Sequence, residues 1–320
     1  MKILITGGLG YIGSHLANLL GKKAIIIDNM SNSSLNFKKY LPKAKVYVGD
    51  INKENLNKIF LKNKIQGVVH LASLKSVEDS FKNPTMYYKS NIIPTLDLLD
   101  SMSNHKINKL IFSSSATVYG NINKCPYDET MNLKSNNAYG STKIVIENLI
   151  TDFASSFKKF KAISLRYFNP IGADYKAGLA DKPTGNVQNI MPAITKSAKK
   201  NKLLKIFGDQ YNTNDGTCVR DYIHIKDLVF AHLLAYNKLS SIKGHMPINL
   251  GLGRGISVLK LIKIFEKTNN IKINFKIVKA RKGDVDNSFA NCAKAKKILG
   301  WKPIYNYSDM VRDAWNAVNF

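Results

Sequence analysis

Cysteine, arginine and acidic residues are all scarce in this sequence. Cys125, Cys218 and Cys292 are the only cysteines among 320 residues. Odd in number and far apart, they exclude a disulfide framework or zinc-finger spacing and predict a protein of the reducing cytoplasm. No apolar run approaches the roughly 20 residues that a membrane-spanning helix requires. The opening Met1-Lys2-Ile3-Leu4-Ile5-Thr6-Gly7-Gly8 is too short and glycine-broken for a secretory signal, and reads as a strand. Internal repeats and Pro- or Ser-rich linkers are lacking. With 44% apolar and 22% charged residues, the chain is neither largely disordered nor fibrous. Its length suits one large domain or two joined ones.

Twenty-two acidic residues face 48 basic ones, a net charge of +26. Such an excess points to nucleic acid, a membrane surface or an anionic small molecule. Yet only five of the 48 are arginine, the residue suited to bidentate base and phosphate contacts, and the lysines are dispersed. The excess therefore reads as compositional bias toward Lys, Asn and Ile, with some attraction for anionic ligands. No specific nucleic acid and no membrane is expected as a partner.

The first half alternates strand and helix patterns. Lys2–Thr6, Ala24–Ile27, Val46–Val48, Val68–Leu71, Leu110–Phe112 and Ala162–Leu165 read as strands, with helices at Tyr11–Leu20, Asn52–Leu61 and Tyr139–Phe153. Strands separated by helices of ten or more residues predict a doubly wound parallel α/β sheet of Rossmann type. After about Asn169 a loop-rich passage holds Pro170, Gly172, Gly178, Pro183 and Gly185. Beyond it come short strands at Leu203–Phe207 and Ile273–Val278, and helices at Met191–Lys199, Val258–Thr268 and Ala293–Leu299. Ile248–Leu250 resembles a further sheet strand. The expected division is a dinucleotide-binding domain over 1–168 and a smaller α/β substrate domain over 169–320, with the chain returning to the sheet around 221–252.

Gly7-Gly8-Leu9-Gly10-Tyr11-Ile12-Gly13 lies between the first strand and the first helix. Glycines at 7, 10 and 13 allow a tight turn, close approach to a pyrophosphate and close helix–sheet packing. Asp28 ends the second strand 15 residues past Gly13. A carboxylate there accepts hydrogen bonds from ribose hydroxyls and repels a 2′-phosphate, favouring NAD over NADP. Asp50, after the third strand, suits either the adenine amine or an ordinary Gly-Asp turn.

Tyr139-Gly140-Ser141-Thr142-Lys143 sets a phenol and an ammonium at i,i+4 on one helix face. A free phenol has a pKa of about 10. A neighbouring ammonium, with the positive nicotinamide ring, is expected to lower it toward neutrality in a partly dry site. Ser113-Ser114-Ser115 directly follows the predicted strand Leu110–Phe112, at the end where doubly wound sheets bind ligands. Ser115 there is placed to bridge a substrate hydroxyl and Tyr139.

These segments resemble the extended short-chain dehydrogenase/reductase family, in particular the branch that epimerises UDP-hexoses at C4. The similarity runs nearly end to end. It includes Thr6–His15, Asp28-Asn29, His70–Lys75, Phe112–Gly120, Tyr139–Lys143, Leu165–Pro170, Asp215–His224 and Asn249–Gly251. The resemblance implies interconversion of UDP-glucose and UDP-galactose through transient oxidation of sugar C4 by tightly held NAD, in a cytoplasmic homodimer. Catalysis would fall to Tyr139, Lys143 and Ser115. NAD would be bound by Gly7, Gly10, Tyr11, Ile12, Gly13, Asp28, Asn29, Asp50, Ile51, Leu71, Lys75, Asn91, Ser113, Tyr139, Lys143 and Tyr167. The UDP-sugar would meet Ser115, Tyr139, Phe168, Asn169, Asn189, Ile190, Phe207, Arg220, Tyr222, Arg281, Asp284 and Ser288. Taken alone, Arg220 beside Asp221 also reads as a local ion pair, Arg281 as part of a solvated Lys-rich patch, and Phe168 and Phe207 as core aromatics.

The chain departs from the family pattern in three places. The Leu20–Ala24 connection is short, Ser73 replaces a usual glycine, and Ser288 is small where bulk governs acceptance of N-acetylated sugars. A pentose 4-epimerase would differ only in pocket contacts. A UDP-glucuronate decarboxylase would favour a different segment around Arg220. A 4,6-dehydratase would carry Asp-Glu directly after the strand-end Ser/Thr, where this chain has Ala116-Thr117. A non-catalytic nucleotide- or RNA-binding scaffold is a further reading, opposed by the intact Ser115, Tyr139 and Lys143.

Overall fold

The computed structural model describes residues 2–33, 35–184, 187 and 189–319; Gly185 of the loop-rich passage lies outside them. The first half runs β1 (Lys2–Thr6), α1 (Tyr11–Leu20), β2 (Ala24–Asp28), α2 (Phe37–Tyr40), β3 (Lys45–Val48), α3 (Lys53–Lys62) and β4 (Ile65–His70). It continues with α4 (Val77–Lys82), α5 (Pro84–Asn104), β5 (Lys109–Ser115), α6 (Ala138–Ser156) and β6 (Lys161–Tyr167). The sheet order is β3-β2-β1-β4-β5-β6 followed by the strand His245–Leu250, and every pairing is parallel. The order reverses between β1 and β4, and the crevice outside the carboxyl ends of strands flanking such a switch point is where open sheets bind ligands.

Apolar runs rather than alternation mark the central strands because both faces are covered. Ile3, Ile5, Ile26 and Ile163 pack on one face; Leu4, Ile25, Ile27 and Leu110 pack on the other. Helix starts follow side-chain caps: Asn52 accepts from Asn55 N–H, Ser76 from Asp79 N–H and Asn137 from Gly140 N–H. Each cap satisfies an N–H that the first helical turn leaves free.

Several boundaries move. β4 begins at Ile65 rather than Val68 and ends before Leu71. β5, expected to end at Phe112, runs on through Ser113, Ser114 and Ser115. They pair with Leu165, Arg166 and Tyr167 of β6, and the hydroxyls of Ser113 and Ser114 find buried partners in Tyr167 and Glu147. The strand expected at Ile248–Leu250 starts at His245 and pairs with β6. The strand expected at Ile273–Val278 begins at Phe275 and pairs in parallel with Leu204–Phe207. Val219–Arg220 joins Ile256–Ser257 and Asn287–Ser288 in a three-stranded sheet. Among the described residues, no helix is long and apolar enough to cross a membrane.

Candidate active site

A cavity of about 1110 Å³ opens at the switch point. Its floor is the turn between β1 and α1. Gly7 has φ +67°, and a Cβ there would lie 2.8 Å from Ala72 N; a Cβ on Gly13 would lie 2.3 Å from Gly7 O. Gly7 therefore requires glycine for conformation and for space, and Gly13 for space. Unlike α3, α4 and α6, helix α1 has no side-chain cap on its first turn: its N-cap is Gly10. Uncapped N–H groups at a helix start, lining a cavity without a side chain in the way, suit a pyrophosphate.

Asp28 accepts N–H bonds from Leu9 at 2.9 Å and Met30 at 2.7 Å, one on each carboxylate oxygen. Each oxygen retains acceptor capacity for a ribose hydroxyl. Asn29 donates to Asp50 at 2.7 Å. Gly7, Gly10, Tyr11, Ile12, Gly13, Asp28, Asn29, Asp50, Ile51, Leu71, Lys75, Ser113, Tyr139 and Tyr167 all line the cavity. Asn91 and Lys143 stand behind its wall. Asn91 is buried and bonds both the N–H and the carbonyl of Leu74. The donor set, the bare turn and the cavity size fit a dinucleotide.

The Asn137 cap sets the start of α6, and the helical period brings Tyr139 and Lys143 together. Lys143 Nζ lies 5.6 Å from the Tyr139 ring centroid and 4.9 Å from that of Phe112. It donates to Ser113 O at 2.8 Å and to Ser73 Oγ at 3.1 Å. The expected lowering of the phenol pKa is not seen in the protein by itself. Burial pushes Tyr139 up to about 12, against the opposing Ser115 hydrogen bond, while Tyr87 also raises it. Burial also lowers Lys143 to about 7, with Glu147 pulling the other way. The dry environment that strengthens their attraction penalises both charges separately.

The residues expected to hold the UDP-sugar gather in groups. Arg220 pairs with Asp284 at 3.2 Å and donates to Val285 O at 2.7 Å; Tyr211 donates to the same carboxylate at 3.4 Å. The Arg281 guanidinium lies 3.9 Å over the Phe207 ring centroid. The reading of Arg220 as an ion pair with adjacent Asp221 is corrected: Asp221 instead accepts backbone N–H bonds from Leu252, Gly253 and Ala290. Ser288 is buried beside Arg220 in strand register. Asn189 is exposed at the cavity and donates to Asp181. Ile190 begins the helix Ile190–Lys200. Asn169 and Tyr222 are cross-strand partners. Tyr222 and Phe168 are packed in apolar clusters, whereas Ser115 is half-buried, caps a short turn and bonds Tyr139.

A buried network behind the cavity was absent from the sequence reading. Glu147 binds Arg166 through two hydrogen bonds, at 2.9 and 2.5 Å, and accepts from Ser114 at 2.5 Å. Arg166 also donates to the Tyr119 hydroxyl, which bonds Asn249. Extending the Tyr139–Lys143 spacing by four residues reaches Glu147 on the same face of α6.

Residues 4–314 match the family model described as GDP-mannose 4,6 dehydratase. A UDP-glucose 4-epimerase of Dictyostelium discoideum is 43% identical over 98% of this chain and 94% of its own. The chain belongs to the UDP-glucose 4-epimerase family. A solved epimerase from Stenotrophomonas maltophila, with bound NAD and formylated UDP-arabinopyranose, is 39% identical and has a TM-score of 0.95, covering 100% of this chain and 98% of that one. The Bifidobacterium longum epimerase, in complex with NAD+ and UDP, is 36% identical with the same TM-score and coverage. The family frame also covers dehydratases; here Ala116-Thr117, after the strand-end serine, bears no carboxylate for a water-eliminating acid/base pair.

Proposed function

We propose that this chain interconverts UDP-glucose and UDP-galactose, with NAD as its resident cofactor and a UDP-sugar as substrate. The supporting observation is the Tyr139–Lys143 pair at the wall of a glycine-floored cavity. Bound NAD supplies a positively charged ring, a hydride acceptor and finally a hydride donor. Gly7, Gly10, Gly13 and the first turn of α1, including Tyr11 and Ile12, hold its pyrophosphate. Asp28, Asn29, Asp50 and Ile51 hold the adenosine end; Leu71, Lys75, Asn91, Ser113 and Tyr167 flank the nicotinamide end.

Tyr139 takes the C4 hydroxyl proton and returns it after inversion, acting first as base and then as acid. Ser115 bonds the phenol and offers a hydroxyl through which the substrate proton reaches it. Lys143 sets a positive charge beside the ring and favours loss of the phenol proton. Arg220 and Arg281 neutralise the diphosphate while Phe168, Asn169, Asn189, Ile190, Phe207, Tyr222 and Asp284 retain UDP, leaving the sugar ring free to turn. On this division residues 1–168 hold nucleotide and 169–320 hold substrate, with His245–Leu250 lent back to the sheet. The small Ser288 side chain admits N-acetylated hexoses. We place a second copy against α5 and α6, where Ile93 and Leu96 are 52% and 42% exposed and Ile144, Val145 and Leu149 are partly covered. Ile146 and Ile150 of that apolar run belong to the core. Three free thiols suit a reducing cytoplasm.

Purified protein, given UDP-galactose, UDP-GalNAc or UDP-xylose without added cofactor, tests these assignments. UDP-glucose formed from UDP-galactose supports the main reading; no turnover by protein shown to carry NAD refutes it. Activity on UDP-galactose with none on UDP-GalNAc refutes the role given to Ser288.

A further inference from the structure

One hydroxyl beside the reacting pair has no part in the scheme above. Ser73 lies in the cavity wall three residues past the end of β4. Its Oγ is 3.1 Å from Lys143 Nζ, and the same nitrogen donates to Ser113 O at 2.8 Å. Lys143 is only 1% exposed, so water cannot replace a missing acceptor freely. An ammonium has three N–H donors; two are held by Ser73 and Ser113.

The groups around the ammonium explain why that acceptor matters. On α6 it faces Tyr139 and Glu147, and the Glu147 carboxylate is shared with Arg166 of β6 and Ser114 of β5. His70 of β4 is kept neutral, its pKa lowered to about 3 by burial and by Lys143 itself. Its ring nitrogens are engaged by Thr6 of β1 and Thr95 of α5. Phe112 and the Ser113 carbonyl come from β5; Tyr167 of β6 is bonded to Ser113. From α5, Tyr87 acts on Tyr139, and the uncharged Asn91 donates to Thr142, beside Lys143 on α6. Negative charge thus reaches the lysine from behind, already divided among other donors. On the cavity side a glycine at position 73, as the family pattern has it, would offer no side-chain acceptor.

We infer that Ser73 is a positioning residue for Lys143: its hydroxyl oxygen receives one ammonium N–H and holds the cation, protonated, beside the Tyr139 ring. The contact itself is independent of the proposed reaction; its effect on turnover rests on that reading.

Protein labelled with ¹³Cε-lysine reports the Lys143 titration directly by NMR, with the resonance assigned through Lys143→Met. Removing a hydrogen bond to the charged form in Ser73→Ala or Ser73→Gly should lower the midpoint by about half to one pH unit. The alkaline limb of the kcat profile for UDP-galactose should move down by the same amount. At pH 8.5, kcat should fall roughly 3- to 10-fold while KM changes less than about twofold. Ser73→Thr, which keeps the hydroxyl, should restore both midpoint and rate. An unchanged Lys143 midpoint in both the alanine and glycine variants overturns the inference. If NAD-loaded wild type turns over no UDP-galactose, the epimerase reading fails, and the NMR midpoint still decides the role of Ser73.

Discussion

At the carboxyl ends of β1 and β2 the chain presents backbone. Gly7 and Gly13 are packed too closely for a side chain, α1 begins uncapped, and Asp28 holds its loop through the N–H groups of Leu9 and Met30. The region assigned to the diphosphate is built from side chains instead. Arg220 meets Asp284 across 64 residues of sequence, and Arg281 lies over Phe207. The first region centres on one βα turn, closed by Asp28 of β2 and by Ala72 packed against Gly7. The second depends on several distant segments arriving together, and its contacts are ionic and partly exposed. A site of this kind can hold a permanent cofactor at one end while substrate exchanges at the other.

That contrast is tested most severely at the junction. Tyr139→Phe should reduce turnover roughly 10²- to 10⁴-fold while bound nucleotide, measured by chromatography after denaturation, stays at the wild-type level. Loss of nucleotide as well would mean the phenol serves binding rather than proton transfer. Gly13→Ala should act on the first region: its Cβ would sit 2.3 Å from Gly7 O. Nucleotide content should drop sharply, and stability by about 1–3 kcal/mol, read from denaturant unfolding. Arg220→Ala should act on the other region, raising KM for UDP-galactose roughly 10- to 100-fold with nucleotide content unchanged; the truncation leaves the Asp284 carboxylate without its guanidinium partner.

The smallest expected effect concerns pH. Burial brings Lys143 to about 7, below its ordinary value of 10.5. Between those values the unfolded chain holds a proton that the folded one has released, so this group makes stability rise with pH from about 7 to about 10.5. That contribution is lost progressively as pH falls from about 10.5 to about 7, below which both states hold the proton. Lys143→Met should flatten that part of a plot of melting temperature against pH. An identical slope in wild type and variant would show that the lysine is not titrating in this range.

The same contrast explains what could be read in advance. β1, α1 and β2 were legible because apolar runs, the glycine spacing and Asp28 all act within 28 residues. The extent of β5 was not: its apolar run ends at Phe112, and only pairing with Leu165–Tyr167 carries the strand on through the three serines. The i,i+4 spacing revealed Tyr139 and Lys143 as partners, but not that burial would raise the phenol to about 12. Asp221 looked like the companion of its neighbour Arg220, whereas it lies between two short strands and accepts the N–H groups of Leu252, Gly253 and Ala290, all distant in sequence.

By itself the sequence determined the wound sheet, the bare turn at its switch point and the pairing of a phenol with an amine. Each follows from backbone periodicity and steric demands that operate over a few residues. Tertiary structure alone decided which groups became dry, which acceptor holds the Lys143 ammonium and which carboxylate meets Arg220. Desolvation and ion pairing depend on segments that meet only when the chain has folded.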